Sequence, residues 1–242
     1  NERNIFPSVG LGIFLLLLSS LIGYEFYRLY KKNEWNKQRV IAIIIISILV
    51  VALLKTVSLM PNTFNQLYYL VPIAAGVLLI KLLIYERISI MFAVVFSIIA
   101  SLLFNDFIPG ALNMEAGLYF LFFQLAGIIS IRNVKDRLAL LKSTASMALI
   151  NVMTITMFIF LSIEKFQWME LVKHSAFGVG AALLSSILAI GLVPYFETFL
   201  GILSDNKLLA LANPNQPLLK KILTDAPGTY HHSVMVANLS ES

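Results

Sequence analysis

Long apolar runs separated by short polar breaks dominate the chain. A helix needs about 20 mainly apolar residues to cross the hydrocarbon of a bilayer. Seven runs approach that length, at residues 5–30, 40–60, 67–85, 88–104, 116–131, 138–163 and 174–200. The breaks between them, such as KKNEWNKQR, PNTFNQ, NDFIPGALNME and RNVKDR, carry charges or turn residues. EKFQWMELVK, before the last run, reads as a short interfacial helix. The runs are continuous rather than alternating, and too long for the strands of a membrane barrel. The pattern predicts an all-α, polytopic bundle of seven transmembrane helices, followed by short cytoplasmic helices.

Composition sharpens this picture. Hydrophobic residues make up 59% and charged residues 13% of 242 positions. Soluble domains usually carry about 25% charged residues, so an ordinary water-soluble globule is excluded, and so is disorder. Cysteine is absent, which excludes disulfides, thiol catalysis and thiolate metal sites. The chain starts with Asn and stops within a pattern, so it reads as a piece of a longer protein.

Charge sets the orientation. Arg28, Lys31, Lys32, Lys37 and Arg39 surround the first break, Lys81 and Arg87 the third, and Arg132, Lys135, Arg137 and Lys142 the fifth. The opposite loops offer Lys165 and Lys173, balanced by Glu164 and Glu170. The positive-inside rule places the first group in the cytoplasm. The N-terminus is then outside, and the tail from about Ser204 is cytoplasmic.

Ionisable and polar groups within spans are candidate functional sites. Lys55 and Lys81 lie near span ends, where snorkelling to the headgroups is the ordinary behaviour. Glu25 is placed to pair with Arg28 or Lys32. Gln124 and Asn151 lie deeper, where interhelical hydrogen bonds are the default and a ligand contact the sharper reading. Pro72 and Pro194 remove backbone donors and tend to kink their helices. Gly178, Ala182 and Ser186 share one face of the seventh span, which suits a close helix contact within the chain or a homodimer seam. Tyr24, Phe26, Tyr27, Tyr30, Trp35, Tyr68, Tyr69 and Trp168 read as an interfacial aromatic belt.

The tail has a different texture. Asp205 can cap a short helix, and Pro217 suits the first turn of another. Lys220 and Lys221 face water or anionic lipid. Thr229 is a candidate N-cap for a last helix beginning near Tyr230. His232 shares a face with Val236 and Leu239, which makes it a candidate metal ligand, although two adjacent histidines are weak grounds alone.

NPNQPLLKKILTDAPGTYHHSVMVANLSES, with PYFETF before it, resembles the junction of bacterial seven-transmembrane receptors with an intracellular HD hydrolase domain. It is similar to the type that hydrolyses cyclic di-AMP to linear pApA. The resemblance implies a membrane domain at 1–203, linker helices at 204–229 and the first helix of an HD domain at 230–242. It implies His232, with His231 second, as a ligand of a dinuclear Mn or Fe site in the parent, and a large extracellular domain before the first span. The HD dyad is not in this sequence, so the chain alone is expected to be catalytically inactive and to bind no cofactor. The implied setting is the bacterial plasma membrane. The implied partners are the bilayer, cyclic di-AMP and an unknown extracellular ligand, with no nucleic acid polymer. A transporter or channel using Lys55, Lys81, Gln124 and Asn151 is the first alternative; the second is the sensor module of a histidine kinase.

Overall fold

The computed structural model describes residues 6–31, 37–60, 67–105, 112–131, 137–162, 166–202 and 205–241. Trp35, Lys32, Arg132, Lys135, Glu164 and Lys165 lie outside them. Among the described residues all regular secondary structure is helical, without strands. It divides into two units, Asn1–Ile202 and Leu203–Ser242.

The first unit contains α1 (Phe6–Lys31), α2 (Lys37–Ser58), a 3-10 turn (Leu67–Leu70), α3 (Ala74–Leu83), α4 (Glu86–Leu103), α5 (Met114–Ser130), α6 (Arg137–Leu161) and α7 (Trp168–Leu200). Five segments are long and apolar enough to cross a membrane: Gly12–Lys31, Lys37–Ser58, Glu86–Leu103, Leu141–Leu161 and Trp168–Leu200. Two shorter apolar segments, Leu67–Leu83 and Met114–Ser130, accompany them.

α3 lies at the centre and packs on α2, α4, α5 and α7. Eight of its ten residues are buried, consistent with a helix that is apolar on every side. α2 buries Ala42, Ile43, Ile46, Val50 and Leu54 along one stripe, while Ile44, Ile48 and Leu49 face outward. The interior is also where the polar groups are: Ser89, Ser97, Gln124, Ser143, Asn151, Thr154, His174, Ser185 and Ser186 are all buried. Large apolar residues outside and small or polar residues at helix contacts are what hydrocarbon solvent selects, because lipid gives apolar side chains no reason to turn inward.

Pro72 marks an interruption rather than a bend. The third apolar segment is a 3-10 turn, a break at residues 71–73 and then α3. Short-range bonds from Ala75 N to Pro72 O and from Gly76 N to Ile73 O, both 3.1 Å, restart the helix. Pro194 behaves otherwise, since α7 runs through it unbroken. Thr198 Oγ1 donates to the Pro194 carbonyl at 2.8 Å, and Gly201, at φ 64°, ends the helix in the left-handed region that favours glycine. The expected interfacial helix before the seventh span is instead the first part of α7, which begins at Trp168 with Gln167 as its extended N-cap residue.

Asn113 fastens α4 to α5. Its Oδ1 accepts from Ala116 N at 3.0 Å as the N-cap of α5, and its Nδ2 donates to the Phe104 carbonyl at 3.0 Å. Its own carbonyl accepts from Ser101 Oγ at 2.8 Å. Asn113→Ala removes the cap and the side-chain link to Phe104 together, and keeps the backbone bonds to Ser101. A loss of about 1–2 kcal/mol is expected, read as a lower unfolding midpoint of the chain in lipid nanodiscs.

The second unit holds α8 (Asp205–Leu211), α9 (Pro217–Asp225) and α10 (Pro227–Glu241). α9 starts on Pro217 as expected. α10 starts at Pro227, so Thr229 lies inside the helix and is not its cap. Proline suits a first helical position because its missing N–H would have no partner there, and this moves the start ahead of the threonine.

Candidate functional site

The antiparallel order of the helices gathers polar groups at both ends of the bundle. At one end the 3-10 turn, the start of α5 and the start of α7 converge. Tyr68 Oη donates to Glu115 Oε1 at 2.9 Å, and Tyr69 Oη donates to the same oxygen. Tyr119 Oη donates to the Tyr69 carbonyl at 2.8 Å. The Tyr69 ring lies 4.9 Å from that of Tyr119, edge to face, and 5.3 Å from His174. Tyr69 is 2% exposed. Tyr68 and Tyr69 are therefore not members of an interfacial belt. Their rings fill the core, and the carboxylate satisfies hydroxyls that would otherwise be buried without partners. Tyr24, Tyr27, Tyr30 and Trp168 are exposed, as belt residues are.

The other end is basic and centres on the connection from α3 to α4. Lys81 Nζ donates to the Ile128 carbonyl at 2.5 Å and lies 3.2 Å from Glu86 Oε2. Its side chain is 8% exposed. This departs from the snorkelling expected of it: the ammonium turns inward because the last carbonyls of α5 have no helical donor. Ser143 Oγ donates to the neighbouring Gly127 carbonyl at 3.3 Å. Arg39 donates to Tyr85 Oη, and its guanidinium lies 4.9 Å from the centre of that ring. Glu25 accepts from Arg87 and lies 3.9 Å from Arg28. Lys55, in contrast, is exposed.

Lys81→Leu leaves the end of α5 uncapped and Glu86 without its cation. A loss of about 2 kcal/mol is expected, in the range for a hydrogen bond to a charged group. Lys81→Arg should recover part of it in the same unfolding measurement.

Between the ends, polar groups join helices pairwise. Gln124 Nε2 donates to Ser97 Oγ at 2.9 Å and to the Ala93 carbonyl at 3.3 Å, both on α4, and to the Phe120 carbonyl of its own helix at 3.0 Å. Asn151 Nδ2 donates to the Gly178 carbonyl at 2.8 Å, and Thr144 Oγ1 to Ser186 Oγ at 2.6 Å. Gly178, Ala182 and Ser186 are buried, and Gly178 and Ser186 meet α6 of the same chain. A Cβ on Gly178 would lie 2.9 Å from Ile155 Cδ1 and 3.1 Å from Asn151 Cβ, so the close approach favours glycine and leaves little room for a larger side chain. A groove of about 220 Å³ between α2, α3 and α7 is apolar, with Ile46, Val50, Pro72 and Leu188 in its wall, and offers no reactive group.

His231 and His232 are both exposed on α10, with the His231 ring 5.8 Å from that of Tyr230. No group of three or more His, Asp or Glu side chains suited to a metal ion occurs among the described residues.

Sequence reasoning passed over Glu115, which lies in the polar stretch between two spans, and Arg87 as a partner of Glu25. The available signal was that a lone carboxylate at the start of an apolar helix needs donors, and two adjacent tyrosines supply them.

The sequence profile described as "7TM receptor with intracellular HD hydrolase" matches residues 5–204. The chain is 39% identical, over its whole length, to the cyclic-di-AMP phosphodiesterase PgpH of Bacillus subtilis, of which the match covers 34%. It is 30% identical over 96% of its length to the protein of that name from Listeria monocytogenes, of which 32% is covered. An uncharacterised protein of Synechocystis is 44% identical over 57 residues, 24% of this chain and 7% of that protein. The chain thus spans about a third of the length of the two named relatives. No solved structure matches.

Proposed function

Because the chain belongs to the family of seven-transmembrane receptors with an intracellular HD hydrolase, we propose that it is the membrane-anchoring and signal-transmitting module of a cyclic di-AMP phosphodiesterase. The observation that carries this is the 39% identity to the Bacillus subtilis phosphodiesterase along the whole chain. The module resides in a bacterial plasma membrane. Counting the two shorter apolar segments with the five long ones makes seven crossings. The basic end faces the cytoplasm, and the tyrosine end faces outward. Residues 204–229 are then linker helices, and residues 230–242 open the HD domain.

In this reading the parent cleaves cyclic di-AMP to linear pApA. The divalent metals of the HD site would activate water and polarise the phosphate when bound. This chain contributes one imidazole, His232, with His231 the second choice. The rest of the donor set and the HD dyad come from elsewhere in the parent, and the chain taken alone hydrolyses nothing. A bundle shift, passed along α7 into the tail, would bias the catalytic domain.

The test uses the full-length parent in proteoliposomes. His232→Ala is expected to lower hydrolysis of cyclic di-AMP at least about 100-fold, since even groups that only orient metal ligands are worth 10- to 100-fold. His231→Ala should cost much less. Unchanged hydrolysis in both variants would overturn the assignment. Equal activity and unchanged regulation after replacement of the spans by an unrelated membrane anchor would overturn the transmitting role.

A further inference from the structure

The corner between α3 and α4 is tied to three other helices through polar or charged side chains. Lys81 reaches the end of α5, Tyr85 holds Arg39 of α2, and Arg87 holds Glu25 of α1. Ser89 Oγ donates to the Val77 carbonyl at 2.6 Å, which closes the corner on itself. The corner and the two helices it joins are therefore one mechanical piece.

α1 is attached differently from the other helices. Among the described side chains of its span from Gly12 to Lys31, none is fully buried. Val9, Ile13, Phe14, Leu16, Leu17 and Leu21 are exposed along its first half. Ser19 and Ser20 give their hydroxyls to carbonyls of their own helix. Phe26 and Leu29 are its partly buried contacts with the core, and both lie within a turn or so of Glu25. Glu25 itself is 14% exposed. α1 is thus pinned at its basic end, and over the rest of its described length it is only partly covered, at Leu18 and Ile22.

We propose that the Glu25–Arg87 pair is a releasable latch, and that displacement of α1 enters the bundle through the Lys81–Arg87 corner. The proposal rests on the reading of this chain as a transmitting module. An ion pair between partly exposed side chains fixes a position yet is cheap to break. The remaining surface of α1 is apolar, and a bilayer sets little resistance to tilting or turning such a helix. On the bundle side, the corner continues directly into α3, which touches α2, α4, α5 and α7. A close-packed interior passes a shift of that helix onward instead of absorbing it.

The absence of native cysteine makes introduced cysteine pairs the sole thiols of the chain. Leu21→Cys with Ile90→Cys reports α1 against α4. Ile48→Cys with Ile187→Cys reports α2 against α7. All four positions are exposed. Spin labels on each pair, with the chain in lipid nanodiscs, give distance distributions by pulsed EPR. A single narrow α1–α4 distribution is expected in the parent background. Arg87→Glu should broaden it and shift the α2–α7 distance. Glu25→Arg should do the same, and the two reversals together should restore both readouts. Arg39→Ala, which cuts the tie to α2, should leave the α1–α4 distribution narrow. An unchanged α1–α4 distribution in Arg87→Glu, or no restoration in the double reversal, overturns the latch. An α2–α7 distance indifferent to the latch overturns the corner as the point of entry. No readout involves hydrolysis, so the outcome is independent of whether the parent cleaves cyclic di-AMP.

Discussion

Replacing Glu115 by leucine is expected to cost the bundle about 3 kcal/mol. Tyr68 and Tyr69 both give their hydroxyls to one carboxylate oxygen, and both rings are buried. Hydrogen bonds to a charged acceptor contribute about 1.5–3 kcal/mol each, and hydroxyls stranded in the core carry a further desolvation cost. The reference state in a bilayer also finds partners for these groups, which keeps the net near the lower part of that range. Glu115→Gln retains an acceptor oxygen and should lose about half as much. Thermal unfolding in nanodiscs, followed by circular dichroism, reads the difference as a midpoint lowered by about 6–12 °C for leucine. Lys55→Leu, at an exposed position, should stay within about 0.5 kcal/mol of the parent. A Glu115→Leu protein that melts with the parent would show that the tyrosines do not depend on the carboxylate.

The second large effect is expected at Gly178. Here α7 comes close enough to α6 for Asn151 to reach its carbonyl. A methyl group would already press on Ile155 Cδ1 and Asn151 Cβ. Alanine meets the mobile tip of Ile155 and should cost about 1 kcal/mol. Leucine must drive the helices apart and break the Asn151 bond, for a loss of about 3 kcal/mol or more. The same unfolding measurement ranks the three proteins. A Gly178→Leu chain as stable as the parent would mean that α6 and α7 are free to separate.

The helices were legible in the sequence because hydrocarbon imposes length and apolarity on any crossing segment. The turn residues and loop charges supplied their limits. The arrangement of faces was not legible. Inward and outward positions of α2 are both filled with Ile, Leu and Val, so no periodicity separates Ile43, which is buried, from Ile44, which is exposed. The same holds for Tyr68 and Tyr69. Aromatic rings at a span end read as belt residues until Glu115, 46 positions on, supplies the acceptor that draws them inside. The contact of Lys81 is hidden from the sequence for a related reason. Its length permits snorkelling, but the carbonyl that holds it belongs to the end of another helix. Polar partners that are distant in the chain leave no local pattern. Gln124 and Asn151 were easier, because an amide deep in a span has no water to turn to and must find another helix.

The most enclosed helix of the bundle belongs to one of its shortest apolar segments. Leu67–Leu83 has 17 residues, about 25 Å if wholly helical, against a hydrocarbon layer of about 30 Å. α7, with 33 residues, is roughly twice as long. Because α3 is ringed by protein, lipid cannot thin to meet its ends. The surrounding helices alone respond to membrane thickness, and they do so by tilting around a strut of fixed length. Acyl-chain length is therefore a mechanical variable for this bundle: thicker bilayers draw the outer helices upright and thinner ones lay them over.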